Sequence, residues 1–483
     1  KWQAEFGAVY RYKACIGDHR IVIADPRAID YVHKNARSFP RSTKFREFTR
    51  LFISNGVSWA EGDDHRRQRS VLNPPFSPSH IRDLFPKFLD KARELVDKWQ
   101  GMVKATPEAN GKEIEVTNWM QRATLDVIGI AAFGVEFNTL HDQHSEIALI
   151  FEGFIGELLT QRSIVTTGQP LMQYFPTFLI KYLSYLPLQG IRNLADFNRI
   201  VNAVAVDAVA SARAALENGD RGGKEILSQI VRECYNGEKP KLSPSEMYAQ
   251  FGTFLLAGED TTANALAWAL VELCSNQEFQ TRMREEIKQT YAAAHEQGRP
   301  DLDASDLDKM TFAQAFMKES LRYHASLPLA PREADVDDVI PLSTPVAGRN
   351  GEVINEINVS KGQGIIINIE GYNRLESVWG EDSHVFRPER WLEGKPTKGD
   401  VEPASGVYGN LLTFGGGPHS CIGQVFEWRF ALQEMQVFLV EMVRNFRFCF
   451  PEGVRIKREM TLGSVPVVEG DSSKGQRLPL IIT

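Results

Sequence analysis

A single cysteine, Cys421, closes the run FGGGPHSC, and an apolar stretch, VFEWRFALQEMQVFLV, begins four residues later. Glycine lets a backbone approach a ligand closely and take up positive φ angles. A cysteine at the start of a helix feels the dipole and the N–H groups there, which favour its thiolate. A thiolate with no companion ligands suits a metal that brings its own, which is heme iron. Taken alone, Cys421 reads more readily as a buried structural cysteine beside a glycine turn, since free cysteine is commonly buried. A second concentration of chemistry lies in FGTFLLAGEDTTANALAWAL, residues 251–270. Apolar residues flank it on nearly every helical face, so the segment is expected to be buried. Gly258, Glu259, Asp260, Thr261 and Thr262 nevertheless occupy its middle. A mid-helix glycine costs about 1 kcal/mol relative to alanine, and buried acids cost more unless they are hydrogen-bonded. One reading is a helix that opens beside a ligand, with an acid–alcohol pair for proton delivery. The other is close packing at the glycine, with threonines bonded back to the helix.

Two further clusters carry charge. KESLR places Glu319 and Arg322 three apart on one helix face, and FRPERW supplies Arg390. An isolated pair of this kind is worth little at a surface, whereas two arginines bracketing one carboxylate belong more naturally in a core. In WAEGDDHRRQRSVLNPPF, His65 and Arg69 stand four apart and share a helix face. By itself that stretch is equally a solvated basic turn.

The elements that must position these residues are mostly helices. AVYRYKACIGDHRIVI reads as a hairpin turning near Gly17-Asp18, and a helix follows with Asp25 as N-cap and Pro26 as its first residue. From 77 to 235 the pattern is helical, broken at TPEANGKE, TTGQP and ENGDRGGKE. A helix of roughly 30 residues then starts at Ser243-Pro244, with Glu246 completing a capping box, and ends near Cys274-Ser275. Another helix runs to Tyr323, strands dominate 331–369, a loop spans 393–410, and the tail SVPVVEGDSSKGQRLPLIIT reads as a hairpin. The chain of 483 residues has a net charge of −7, which gives no sign of a nucleic-acid partner. Its five cysteines are scattered and form no CxxC pair, so neither a disulfide framework nor a zinc site is supported.

Phe414, Gly417, Cys421 and Gly423 fit F-x-x-G-x-x-x-C-x-G. On this motif, together with AGEDTT, KESLR with FRPERW, and HRRQR, the chain resembles the cytochrome P450 superfamily from about residue 59 to 423. The resemblance implies an α+β fold, mainly helical with a smaller β-rich region. It implies a single heme domain over 1–483, with the heme between the long helix and the Cys421 loop. Cys421 would then be the axial ligand of the iron in heme b. Phe414 would pack beneath the iron, and backbone around Gly423 would donate to the sulfur. Thr261 would support oxygen activation and Asp260 would relay protons, with Ala257 and Gly258 making room over the heme. Propionate contacts fall to His65, Arg69, Arg332 and His419. Two of these depart from the family, which commonly has Trp at the position of His65 and Arg at that of His419. Glu319, Arg322 and Arg390 would form a buried structural network.

The implied reaction is monooxygenation of a lipophilic small molecule, terpenoid, aromatic or xenobiotic-like. Alternatives are an oxygen-independent peroxide isomerase or dehydratase, and a non-enzymatic heme sensor or carrier. Candidate substrate contacts are Phe45, Phe48, Phe52, Phe254, Leu327 and Val465. No flavin or nicotinamide segment follows LPLIIT, so a separate NADPH-cytochrome P450 reductase is expected as electron donor. The motif style resembles fungal, basidiomycete-like microsomal members. A monomer is therefore expected at the cytosolic face of the endoplasmic reticulum, held to the membrane by an anchor preceding Lys1.

Overall fold

The structure, a computed structural model, describes residues 2–14, 17–105, 111–141, 147–149, 189–219, 223–406, 408–422, 429–460, 463–471 and 475–483. Its spine is the 32-residue helix Pro244–Ser275. Ser243 caps it, with Glu246 N–H donating to Ser243 Oγ at 3.3 Å and Ser243 N–H donating to Glu246 Oε2 at 2.8 Å. Pro244 occupies the first turn, where its missing N–H has no helical partner to lose. Arg67 holds the same carboxylate through Nη2 at 2.6 Å, so the cap also ties the helix Gly62–Leu72 to the spine.

Other helices pack around this spine. Val116–Ile128 lies so close that a Cβ on Gly258 would come within 2.8 Å of the Ile128 side chain. That contact is the physical reason for a glycine in mid-helix at this position. The long helix Pro78–Lys104 meets Arg429–Asn445 through Phe88 and Phe430, whose rings stand edge-on at 5.0 Å. Where the sequence suggests a single further helix ending at Tyr323, two form, Gln277–Glu296 and Thr311–Tyr323, separated by the short turn Ala304–Leu307.

The strands lie in small sheets beside the helical body. β1 (Val9–Lys13) and β2 (His19–Ile23) form the expected hairpin. β2 pairs in parallel with β7 (Gly364–Asn368), and β7 takes β4 (Leu329–Glu333) on its other side, with Arg332 opposite Ile365. β5 (Asp338–Ala347) and β6 (Val353–Val359) make a separate ribbon. The tail departs from the hairpin reading. β10 (Ser464–Val468) pairs with β9 (Ile456–Met460), whereas β11 (Pro479–Ile482) pairs with β3 (Lys112–Glu115) and β8 (Phe448–Cys449). Both tail segments are apolar and separated by turn residues, which is the local signature of a hairpin, but their partners come from distant parts of the chain. None of the described cysteines forms a disulfide.

The loops that follow the sheets are held by Glu319, which the structure brings together with Arg322 and Arg390, all three side chains fully buried. The carboxylate accepts from Arg322 Nη2 at 2.8 Å and Nε at 2.9 Å, and from Arg390 Nε at 3.1 Å. Trp391 Nε1 and the Arg387 backbone N–H donate to it as well, at 2.9 and 2.8 Å. Arg322 in turn donates to the carbonyls of Asn373 and Ser383. Two residues of one helix, Glu319 and Arg322, thereby fix a segment reaching from 373 to 391. Replacing Glu319 with Gln preserves shape but leaves Arg322 buried against a neutral amide and Arg390 with Asp382, at 2.9 Å, as its remaining carboxylate. Denaturant unfolding should register a loss of about 3–5 kcal/mol, and a loss below about 1 kcal/mol would deny the network its structural role.

Candidate functional site

The glycine run forms a tight loop closed by the Cys421 N–H donating to the Phe414 carbonyl at 2.8 Å. Gly415 and Gly417 have φ of +73° and +65°, a region that favours glycine. The loop presses on the end of the helix Pro26–Lys34. A Cβ on Gly417 would sit 2.7 Å from the His33 carbonyl oxygen, and one on Gly416 would enter the His33 ring. Phe414, half-buried, stands edge-on to Tyr408 at 6.4 Å. Cys421 is exposed although Ser420 before it is buried. Gly423 lies outside the described residues, and the described part of the next helix begins at Arg429.

In the long helix the surface opens at one place. Ala257 is exposed, and Leu256, Gly258, Asp260 and Thr261 are partly so, although the turns on either side are buried. The Thr261 hydroxyl donates to the Ala257 carbonyl at 2.6 Å, four residues back. Asp260 bonds to Gln121 on the neighbouring helix Val116–Ile128, and its Oδ1 has no hydrogen-bond partner among the described residues. Burial pushes its carboxyl up to about 6, and the Gln121 bond opposes that rise. Glu259 points into the core, where burial first and the Asp260 charge second raise it well above the usual carboxylate range.

The expected propionate residues converge beside the loop. His65 and Arg69 are both buried on the helix Gly62–Leu72. Arg69 Nη1 donates to the Ser420 carbonyl at 3.3 Å, one residue before the cysteine. The His65 ring lies 4.2 Å from that of His419. Arg332, on β4, is buried and interacts electrostatically with His33, His419 and Glu61. Three participants were not singled out from the sequence: Arg41, Glu61 and His33. Arg41 Nη2 donates to His419 Nδ1 at 2.8 Å, and His419 Nε2 lies 2.8 Å from Glu61 Oε2. A guanidinium can only donate. His419 is therefore the neutral Nε2–H tautomer, donating to Glu61. Burial lowers the basicity of His65, His33 and Arg41, to about 3, about 4 and about 10, and lowers that of Arg332 as well. The carboxylate that acts on both Arg41 and Arg332 is Glu61. Two guanidiniums, Arg332 buried and Arg41 mostly so, answered by one carboxylate leave positive charge that an anionic group would compensate. Exposed Cys421, the opening at Ala257 and this surplus charge fit an iron porphyrin bearing carboxylates.

Of the expected substrate contacts, Phe254 is buried edge-on against Phe76 at 5.5 Å, Val465 is buried, and Leu327 is exposed. The side chains of Phe45, Phe48 and Phe52 lie outside the described residues. The signal for Arg41 and Glu61 was weak: Glu61 precedes His65 by one helical turn, but Arg41 lies in no recognisable motif.

The raised Asp260 carboxyl makes stability depend on pH. The folded chain binds this proton more tightly than the unfolded one, so its contribution is full below about 4 and is lost as pH rises through about 6. Asp260→Asn escapes that loss. Relative to the parent it should gain about 1–3 kcal/mol at neutral pH and almost nothing in acid, as read by denaturant unfolding at both pH values. An equal difference at both would show that Asp260 does not titrate in this range.

Comparison with known proteins completes the description. The family model described as Cytochrome P450 matches residues 1–469. Cytochrome P450 monooxygenase 205 of Postia placenta is 32% identical, over 100% of this chain and 87% of the relative. Cytochrome P450 monooxygenase claU of Ampulloclitocybe clavipes is 31% identical, with the same coverage. A ganoderic acid synthetase of Ganoderma lucidum is 30% identical, over 98% of this chain and 87% of the relative.

Proposed function

The chain belongs to the cytochrome P450 family, and from that premise we propose that Cys421 is the thiolate ligand of its heme iron. As a member it is a monooxygenase, and lipophilic substrates and a redox partner are general to the family. The finer reading is that the heme is heme b, that one oxygen atom enters a lipophilic small molecule, and that a separate NADPH-dependent reductase supplies the electrons. The observation that carries it is the buried arginine cluster built directly onto the Cys421 loop, with Arg69 bonded to Ser420 and Arg41 to His419.

When bound, thiolate-ligated heme iron activates dioxygen, and the two oxygen atoms are divided between product and water. The chain's own residues prepare for this. The Gly415–Gly417 turn presents the Cys421 sulfur, and the Cys421 N–H bond to Phe414 keeps the loop closed. His65, Arg69 and Arg332 would hold the propionates; His419, expected among them, has both ring nitrogens engaged by Arg41 and Glu61, so its part would be to orient the Arg41 guanidinium toward them. Asp260, at about 6, exchanges protons near neutral pH, as a relay must. On this reading Asp260 would pass protons toward the Thr261 hydroxyl, which stands beside the opening at Ala257. Glu319, Arg322 and Arg390 act on none of these atoms; their role is to hold the segment before the loop.

Among the described residues no helix is long and apolar enough to cross a membrane. Placement at the cytosolic face of the endoplasmic reticulum, through an anchor preceding Lys1, rests on the family alone.

The test is reconstitution with a fungal NADPH-cytochrome P450 reductase, labelled dioxygen and a panel of terpenoids and aromatics. The parent should yield labelled product and the thiolate-type spectrum of the reduced carbon-monoxide complex. Cys421→Ser should lose both. Thr261→Ala should keep the spectrum, while product formed per NADPH consumed falls by roughly tenfold. Unchanged coupling in Thr261→Ala would instead favour a reaction that needs no oxygen activation.

A further inference from the structure

Phe414 owes its place to residues outside the glycine run. Its ring stands edge-on to Tyr408, which opens a two-residue turn closing at Leu411. The Leu411 N–H donates to the Tyr408 carbonyl at 3.1 Å. Both central residues have positive φ, +59° at Gly409 and +62° at Asn410, as the tightest turns between paired strands require. The turn rests on Trp391. A Cβ on Gly409 would lie 2.6 Å from Trp391 Cζ3, so glycine is what lets the turn come this near. The opposite edge of the same indole donates from Nε1 to Glu319.

Lys318, the residue before Glu319, closes the arrangement. It is half-buried on the helix Thr311–Tyr323, with Nζ 5.2 Å from the centre of the Tyr408 ring and 5.9 Å from that of Trp391. Among the described residues no carboxylate answers this ammonium, and burial lowers its basicity. The two aromatic rings are therefore its partners. Beyond the turn the backbone is held by directional bonds. The Leu412 N–H donates to Asn373 Oδ1 at 3.1 Å, Asn373 Nδ2 to Thr413 Oγ1 at 2.9 Å, and the Thr413 hydroxyl to the Leu321 carbonyl at 2.7 Å. These bonds fix the chain up to 413 but not the tilt of the next side chain, because a phenylalanine ring has no polar group to bond.

We propose that Tyr408 and Lys318 are positioning residues for Phe414: Tyr408 limits where that ring can lie, and Lys318 clamps Tyr408 beside Trp391, so that together they set the reduction potential of the iron bound by Cys421. This rests on the heme reading given above, in which Phe414 lies beneath the iron. Burial of a ligating sulfur and hydrogen bonds to it both tune the potential. A ring free to tilt admits water to the sulfur. Water donating to a thiolate withdraws electron density from the metal and makes reduction easier.

The test is the reduction potential of the ferric holoenzyme, measured against reference dyes. Tyr408→Leu and Lys318→Met should each favour reduction by about tenfold in equilibrium constant, about 59 mV for one electron. Heme content and the thiolate-type spectrum of the reduced carbon-monoxide complex should be kept. Tyr408→Phe and Lys318→Arg, which retain the ring and the cation, should stay within about twofold. Because Lys318 acts through Tyr408, the double variant should move no further than Tyr408→Leu alone. A potential that falls in Lys318→Met would mean that its charge acts on the iron directly, and additive shifts would mean two separate effects. Either result overturns the proposal, as do unmoved potentials. Lys318→Met, at a half-buried position, carries the test if Tyr408→Leu does not fold. An unmutated chain without a thiolate-type spectrum would sink the heme reading itself, whereas a normal spectrum with unmoved potentials sinks only this inference.

Discussion

Positive charge buried beside a cysteine is the constraint from which the rest of this structure follows. Arg41 and Arg332 lie in the protein interior with Glu61 as their common carboxylate, and burial lowers the basicity of both. Taking a guanidinium out of water costs several kcal/mol unless a partner answers it. A chain gains nothing by assembling such a cluster for stability alone, since apolar residues would fill the space at lower cost. The arrangement becomes economical when an anionic group occupies the site. Glycines at 415–417, packed onto His33, bring the cysteine loop against the same cluster. Ligand binding and the local fold are therefore one problem solved by one set of residues.

His65 and His419 illustrate the coupling. They replace the Trp and Arg that the family commonly carries at these positions, and their rings are 4.2 Å apart. The two departures are thus a single local one. A neutral imidazole at 419 could not supply the charge of the arginine it replaces. Arg41 brings a guanidinium to the same place by donating to that imidazole, and Glu61 fixes the ring from its other nitrogen.

The spine helix carries the second theme, division of labour by face. One side opens at Ala257 and Thr261 and, farther along, presents Asn264 and Trp268 to the C-terminal ribbon and Glu272 to His324, while another packs on Ile128 through Gly258. A helix buried nearly all round has few positions where a polar group is tolerated. Each polar residue here that makes a bond is thereby tied to a particular neighbour, and displacement of one element is felt by the others.

Local chemistry determined much of what could be read in advance. The caps at Asp25-Pro26 and Ser243-Pro244-Glu246 are short-range hydrogen-bond arrangements, so the sequence contained every partner they need. The same holds for the cysteine loop and for the Ala257–Thr261 notch, each confined to one segment. Glu319 was legible as the centre of a network with Arg322 and Arg390, but its bonds to Trp391 and to the Arg387 backbone depend on how a segment some seventy residues away packs. Only the tertiary structure decided that the tail forms no hairpin, because β11 selects its partners from 112–115 and 448–449 rather than from its neighbour in sequence. Arg41, Glu61 and His33 were likewise beyond local reading. No spacing rule links residues 33, 41, 61, 332 and 419, and it is the packing of separate elements that converts them from scattered charges into one buried site.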